Sequence, residues 1–220
     1  MLPRPDRLRL LAASEPVELV LADVLCEPGE SMRHAYFPSG GFVSLLAPAN
    51  GSGCIEVGMV GREGMLGTHL ALGVVAAPLR ALVQGAGIAH RVEAAVFLRE
   101  LARSAALRAG LNRYLYVLMA QLATSATCLR FHQIGPRLAR WLLMSQDRAG
   151  ADCFRVTQAS LAFMLGVRRP GISQAAGALQ RAGLIRYQRG ELAVLDRGGL
   201  EAAACSCYVI DRRVHAAVLG

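Results

Sequence analysis

"LAFMLGVRRPGISQAAGALQRAGLI", Leu161 to Ile185, reads as two short helices pinched around "LGVRRPG". Thr157 is a suitable N-cap for "QASLAFML". Gly166 supplies a left-handed stop. Pro170 suits the first turn of a second helix, where its missing N–H has no intrahelical partner to lose. That helix would bury Ile172, Ala176 and Leu179 at i, i+4 and i+7. With Gln158 taken as the first position, small Ala162 and Gly166 and apolar Ile172 and Ala175 fall where two crossing helices need close approach, a tight turn and a shared core. The pattern predicts a helix-turn-helix.

The outward face of the second helix would then carry Arg168, Arg169, Ser173, Gln174 and Arg181. Arginine reads guanine, and glutamine reads adenine, through paired hydrogen bonds in the major groove. Arg169 and Gln174 are therefore expected to face bases, Arg168 to divide between base and phosphate, and Ser173 to serve either. Thr157 and Gln158, at a helix N-terminus, are expected to meet phosphate. Downstream, "GLIRYQRGELAVLD" reads as strand, turn and strand, a wing with Arg189 at its tip.

Charge agrees with this placement. The chain has a formal net charge of +8, and every basic residue is arginine. Residues 1–100 hold 8 Arg against 10 Asp and Glu, or −2, whereas residues 101–220 hold 16 against 6, or +10. The second half is the part expected to meet a polyanion.

Working back towards the N-terminus, residues 17–92 read as short β-rich segments punctuated by glycine and proline, as in a sandwich, barrel or jelly roll. "EPGE", Glu27 to Glu30, is a turn, and part of "GMLGTHLALGVVAAPL" is a candidate short helix. "EAAVFLRELARS" places Ala94, Phe97, Leu98 and Leu101 at helical spacing. Leu111, Leu115, Leu118, Leu122, Ser125 and Leu129 then step by four and three, a seam that fits a parallel two-fold dimer better than packing on the chain's own domain. Gly135-Pro136 is expected to end that helix and "RLARWLLMSQDRAG" to begin another. The uncharged stretch "YLYVLMAQLATSATCL" is shorter than a membrane span and carries polar residues, so it reads as a buried helix. No secretory signal is evident at "MLPRPDRLRLLAASEP", so a cytoplasmic location with reduced thiols is expected. Cys205 and Cys207 form a short pair, but two ligands do not close a zinc site, and no metal ligands are assigned.

A β-roll, a long dimer helix and a winged helix-turn-helix, in that order, make the chain resemble the cAMP receptor protein/fumarate–nitrate regulator (Crp/Fnr) family of bacterial transcription factors. The residues that carry the likeness are "EPGE", "VGREGMLG", the helix at 111–129 and Leu161 to Ile185 with its wing. The resemblance implies an α+β fold in three parts. These are a cyclic-nucleotide-binding-like jelly roll at 1–104, a dimerisation helix and hinge at 105–134, and a winged helix-turn-helix at 135–220. It implies a non-enzymatic homodimer on palindromic double-stranded DNA, with RNA polymerase as a further partner and no membrane association. By the same likeness an effector would meet Gly61, Glu63, Arg80, Thr124 and Ser125.

The effector set departs from the family's pattern. Cyclic-nucleotide members have adjacent Gly-Glu and an arginine for the cyclic phosphate; here Arg62 separates Gly61 from Glu63, and Leu79 takes the arginine's place beside Arg80. Thr124 and Ser125 match the base-contacting pair only after a register slip. A classical cyclic nucleotide is therefore not expected. An iron–sulfur cluster is not expected either, because one cysteine precedes residue 50. Haem stays open through His34, His69, His90 and Cys54, and the cofactor is unassigned; a roll that needs no ligand is the other reading. A cupin-like metalloenzyme would need a His-x-His pair that the chain lacks. A winged protein-interaction module would have no need of Arg168-Arg169.

Overall fold

The computed structural model describes residues 2–49 and 53–220. A short helix, α1 (Arg4–Ala12), precedes a β-roll built from two antiparallel sheets. One sheet has the order β1-β7-β3, from β1 (Glu15–Leu19), β7 (Gly87–Glu93) and β3 (His34–Pro38). The other has the order β2-β6-β4-β5, from β2 (Val24–Cys26), β6 (Arg80–Gly85), β4 (Phe42–Pro48) and β5 (Cys54–Val60). The turn expected at "EPGE" closes with Glu30 N–H donating to the Glu27 carbonyl, and the ambiguous stretch before β6 contains a 3-10 turn at Thr68–Leu72. Leu19, Val43, Val60, Val83 and Val92 fill the roll.

Two helices close the roll: α2 (Ala94–Arg103), which buries Phe97 and Leu101, and α3 (Ala105–Phe131). Ser104 separates them; its hydroxyl caps α3 by accepting from Leu107 N–H (3.0 Å) and donates to Asp6 of α1 (2.6 Å). The sequence reading did not anticipate α1, whose residues bury no side chain fully.

The face that α3 turns to its own chain is Leu107, Leu111, Tyr114, Val117, Gln121, Ser125 and Cys128. Two members of the expected dimer seam, Leu111 and Ser125, therefore lie inside the protomer. Leu115, Leu118, Leu122 and Leu129 are half-buried at its flank, while Tyr116 (59% exposed) and Met119 (67%) stand free. The helix is apolar on more than one side, so a four-three count crosses from the covered face to the open one.

After α3 the backbone runs extended through His132 and Gln133 and re-enters a helix, α4 (Ile134–Ala149). Gly135-Pro136 thus opens α4 instead of ending α3; a proline within the first turn breaks no intrahelical hydrogen bond. Then come β8 (Cys153–Arg155), α5 (Gln158–Leu165), α6 (Arg169–Arg181), β9 (Ile185–Gln188) and β10 (Glu191–Val194). Two further helices, α7 (Arg197–Ala203) and α8 (Cys207–Leu219), follow; neither was anticipated. α8 returns to lie along α3. The core of the C-terminal half (Leu138, Trp141, Leu142, Leu161, Ile172, Leu192) continues onto Phe42, Leu46 and Met59 of the roll. Among the described residues no helix is long and apolar enough to cross a membrane.

Candidate nucleic-acid interface

Local chemistry sets the helix-turn-helix. Thr157 Oγ1 accepts from Ser160 N–H (3.0 Å) to start α5. Gly166 ends it at φ +61°, a conformation costly for any residue with a Cβ. Ile172, Ala176 and Leu179 then bury the inner side of α6, which leaves Arg168, Arg169, Ser173, Gln174 and Arg181 exposed. Ser173 donates to Gln158 Oε1 (2.6 Å), so these two expected contacts hold each other across the turn and are less free than the arginines.

The wing is a three-stranded sheet in the order β8-β10-β9. Arg189 (φ +52°) and Gly190 (φ +82°) form its two-residue tip, both left-handed, as a primed hairpin turn requires. Arg155 and Arg186 line a shallow groove with Arg189 on the wing; the sequence reading passed over both. The signal for them was strand alternation, which β8 is too short to show. Tyr187 fastens the wing by donating to the Val156 carbonyl (2.8 Å), and burial pushes its phenol up while nearby Arg169 pulls it down. Thr157 and Arg189 also border a cleft shared with Leu21, Ala22 and Gln84 of the roll. Among the described residues, none of Arg168, Arg169, Arg181 and Arg189 pairs with a carboxylate, in contrast to Arg9, Arg91, Arg140, Arg148 and Arg197.

Comparison with known proteins meets the same region. Residues 136–203 match the Crp-like helix-turn-helix domain. The c-di-GMP-responsive global regulator CLP of Xanthomonas campestris superposes with a TM-score of 0.70 at 17% identity, over 88% of this chain and 100% of that one. FixK2 of Bradyrhizobium japonicum gives 0.66 at 14%, over 87% and 98%. A Crp-family regulator of Thermus thermophilus gives 0.65 at 22%, over 86% and 96%. The fold is that of the Crp/Fnr transcription regulators. At the level of sequence, no curated protein matches the chain.

In this Crp/Fnr fold the expected effector residues do not converge. Glu63 sits in a turn where it accepts from Gly61 N–H (3.2 Å) and from Arg148 Nε of α4 (2.8 Å). A Cβ at neighbouring Gly64 would fall inside the Tyr114 ring, so α3 presses directly on this turn. Arg80 lies elsewhere, 3.4 Å from Glu27. Ser125 accepts a long bond from Arg140 (3.4 Å), and the Thr124 carbonyl faces Cys207. Leu79 and His69 border an apolar cavity of about 200 Å³ between roll and α3, and among the described residues no arginine lines it. Desolvation lowers the His69 pKa there. The residues left open for haem are dispersed: His34 stacks edge-on to Tyr36, His90 Nδ1 meets Ser14 Oγ (3.3 Å), and Cys54 packs towards the winged core.

Another grouping was missed. Cys205 and Cys207 are not an isolated pair, because the fold brings Cys128 and His132 to them, with all four donor atoms within 4.8 Å of one another. The sequence alone assigned no metal ligands; the fold gathers four residues whose donor atoms could serve as such. The signal in sequence was Cys128-x3-His132, an i, i+4 pair at a helix end. A hydrogen bond from Cys205, helped by His132 and Arg140, pulls the Cys128 thiol down against the effect of burial.

Proposed function

We propose that the chain is a homodimeric, sequence-specific DNA-binding transcription regulator of the cytoplasm, with α6 in the major groove of a palindromic operator. The observation that carries this reading is the set of exposed guanidiniums at Arg168, Arg169, Arg181 and Arg189, without a carboxylate partner among the described residues, on the helix and hairpin that a winged domain presents to a duplex. Arg169 and Gln174 read bases, Arg168 and Arg181 serve base or backbone, and Arg155, Arg186 and Arg189 meet phosphate. Two copies associate through the open stripe of α3 around Tyr116 and Met119, flanked by Leu115, Leu122 and Leu129. RNA polymerase is the partner through which bound regulator acts. The apolar roll cavity and the Glu27-bound Arg80 favour a regulator that needs no cyclic nucleotide.

Selection from a pool of random duplexes tests this, with and without cyclic nucleotides. The expected result is a two-fold palindrome without additive, with half-sites about 34 Å apart and affinity that falls steeply with salt as counterions are released. Enrichment that depends on a cyclic nucleotide would overturn the ligand-free reading. No enrichment, with binding indifferent to salt, would overturn DNA recognition and favour a protein-binding winged domain.

A further inference from the structure

Three buried cysteines form a small cluster of their own, apart from both hydrophobic cores. Cys128 lies in the last turn of α3, and His132 follows one turn on, at the extended joint to α4. Cys205 and Cys207 flank Ser206, where α7 gives way to α8. Cys205 N–H also donates to the Pro136 carbonyl (3.3 Å), so the α4 side of the joint is drawn in as well. Cys128 Sγ stands 3.5 Å from Cys205 Sγ, and Cys207 Sγ stands 3.5 Å from His132 Nδ1.

A buried free thiol ordinarily behaves as a small hydrophobe and packs on carbon. These thiols instead face one another and an imidazole nitrogen. The spacing suits one ion: with zinc–sulfur bonds of about 2.3 Å, tetrahedral ligand atoms stand about 3.8 Å apart. An iron–sulfur cluster spreads its thiolates over several metal atoms and needs room for sulfide besides.

Charge supplies an independent indication. Arg137 is buried, at 8% exposure, and among the described residues it has no carboxylate partner; its Nη2 donates to the Leu165 carbonyl. Arg140, also buried, keeps Asp211 at 2.7 Å, but its Nε has no partner. An uncompensated buried cation is costly. Three thiolates, one neutral imidazole and one divalent cation sum to −1, the counter-charge that Arg137 lacks.

We propose that Cys128, His132, Cys205 and Cys207 bind a single borderline-soft divalent cation, Zn²⁺, which clamps α8 and the start of α4 to the end of α3. Binding displaces the thiol protons and forms three Zn–S bonds and one Zn–N bond, with no change of oxidation state. Because the clamp spans the α3–α4 joint, it sets how the winged domain is held relative to the dimer helix. That consequence for DNA rests on the proposed function; the site itself does not.

The full-length protein is reduced, stripped with chelator and titrated with Zn²⁺, and in parallel with Co²⁺. The expected result is about one ion per chain, with thiolate-to-Co²⁺ charge transfer and the intense d–d bands of a tetrahedral site. His132→Ala, which leaves all three thiols in place, is expected to weaken metal binding at least about tenfold while circular dichroism reports an intact helical fold. Cys153→Ser, an exposed cysteine outside the cluster, should change nothing. Failure of the wild type to take up either ion would overturn the site. So would acid-labile sulfide in anaerobically purified protein, or a Cys128–Cys205 disulfide that re-forms in preference to zinc uptake. Chelation is further expected to lower operator affinity by at least about fivefold; unchanged affinity would overturn the clamp. Metal uptake without any DNA binding would sink the regulator reading and leave the site standing, whereas DNA binding without metal uptake would do the reverse.

Discussion

Arginine does opposite work at two places on this molecule. On α6 and at the wing tip it stands exposed and, among the described residues, forms no ion pair. At the seam between the roll and α4, Arg148 lies against Glu63 with the two side chains 12% and 14% exposed. The first arrangement leaves charge available to a polyanion; the second consumes it in holding two domains together. A count of basic residues cannot separate them, because what decides is whether a carboxylate reaches the guanidinium. Within the roll, Arg80 and Arg91 are likewise engaged by their own chain, through Glu27 and Glu15.

Breaking the seam should have the largest effect. Arg148→Ala would leave Glu63 enclosed with, among the described residues, the Gly61 amide as its one remaining donor. Removing one partner of a buried pair costs about 3–5 kcal/mol, and partial exposure places this one near the lower figure. Urea unfolding of the variant should show a lower midpoint. A loss below about 1 kcal/mol would mean that the pair behaves as a surface bridge and that the contrast between the seam and the α6 surface is weak.

Glu56 sharpens the same contrast through pH. Its carboxyl is buried beside Ser44, Trp141, Arg140 and Arg148, and desolvation, the dominant influence, pushes it up to about 7 from 4.5. Between these values the native state holds a proton that the unfolded chain has released, so stability falls as pH rises through the window and stays lower above it. Glu56→Gln removes the titration. The variant should gain on the wild type by roughly 3 kcal/mol between pH 4.5 and 8, taking about 1.4 kcal/mol per unit. Chemical denaturation at several pH values checks this, and parallel curves for the two proteins would show that the carboxyl is solvated.

At the other surface, Arg169→Ala should cost about 1–3 kcal/mol in operator binding and relax specificity at one base position, with no change in thermal stability. A loss spread evenly over all sequences would reassign Arg169 to phosphate.

This surface was legible because every local rule agrees there: Thr157 caps, Gly166 stops, Pro170 restarts, and Ile172, Ala176 and Leu179 share one side. The features that escaped depend on distant partners. α3 is covered by the roll on one side and by α8 on another, so its apolar residues run almost all round it, and periodicity could not tell Leu111 from Met119. α8 finds its partner about a hundred residues upstream, and β8, at three residues, is too short for alternation to register. Cys128 and Cys205 are 77 residues apart in sequence and 3.5 Å apart in space. Nothing short of the fold joins them.

Arg80 should give the smallest effect, and that smallness is informative. Family likeness makes it the nearest substitute for a phosphate-binding arginine. Physically it is a part-exposed guanidinium 3.4 Å from a part-exposed Glu27, on β6 and outside the apolar cavity that Leu79 and His69 border. Such a pair is worth about 0–1 kcal/mol, because water screens it and two side chains lose freedom to form it. Arg80→Ala should therefore leave the unfolding midpoint and the operator affinity almost unchanged, with or without cyclic nucleotide. A variant that lost a nucleotide response would show that Arg80 can leave Glu27 for a phosphate, and would move the roll from the side of consumed charge to the side of available charge.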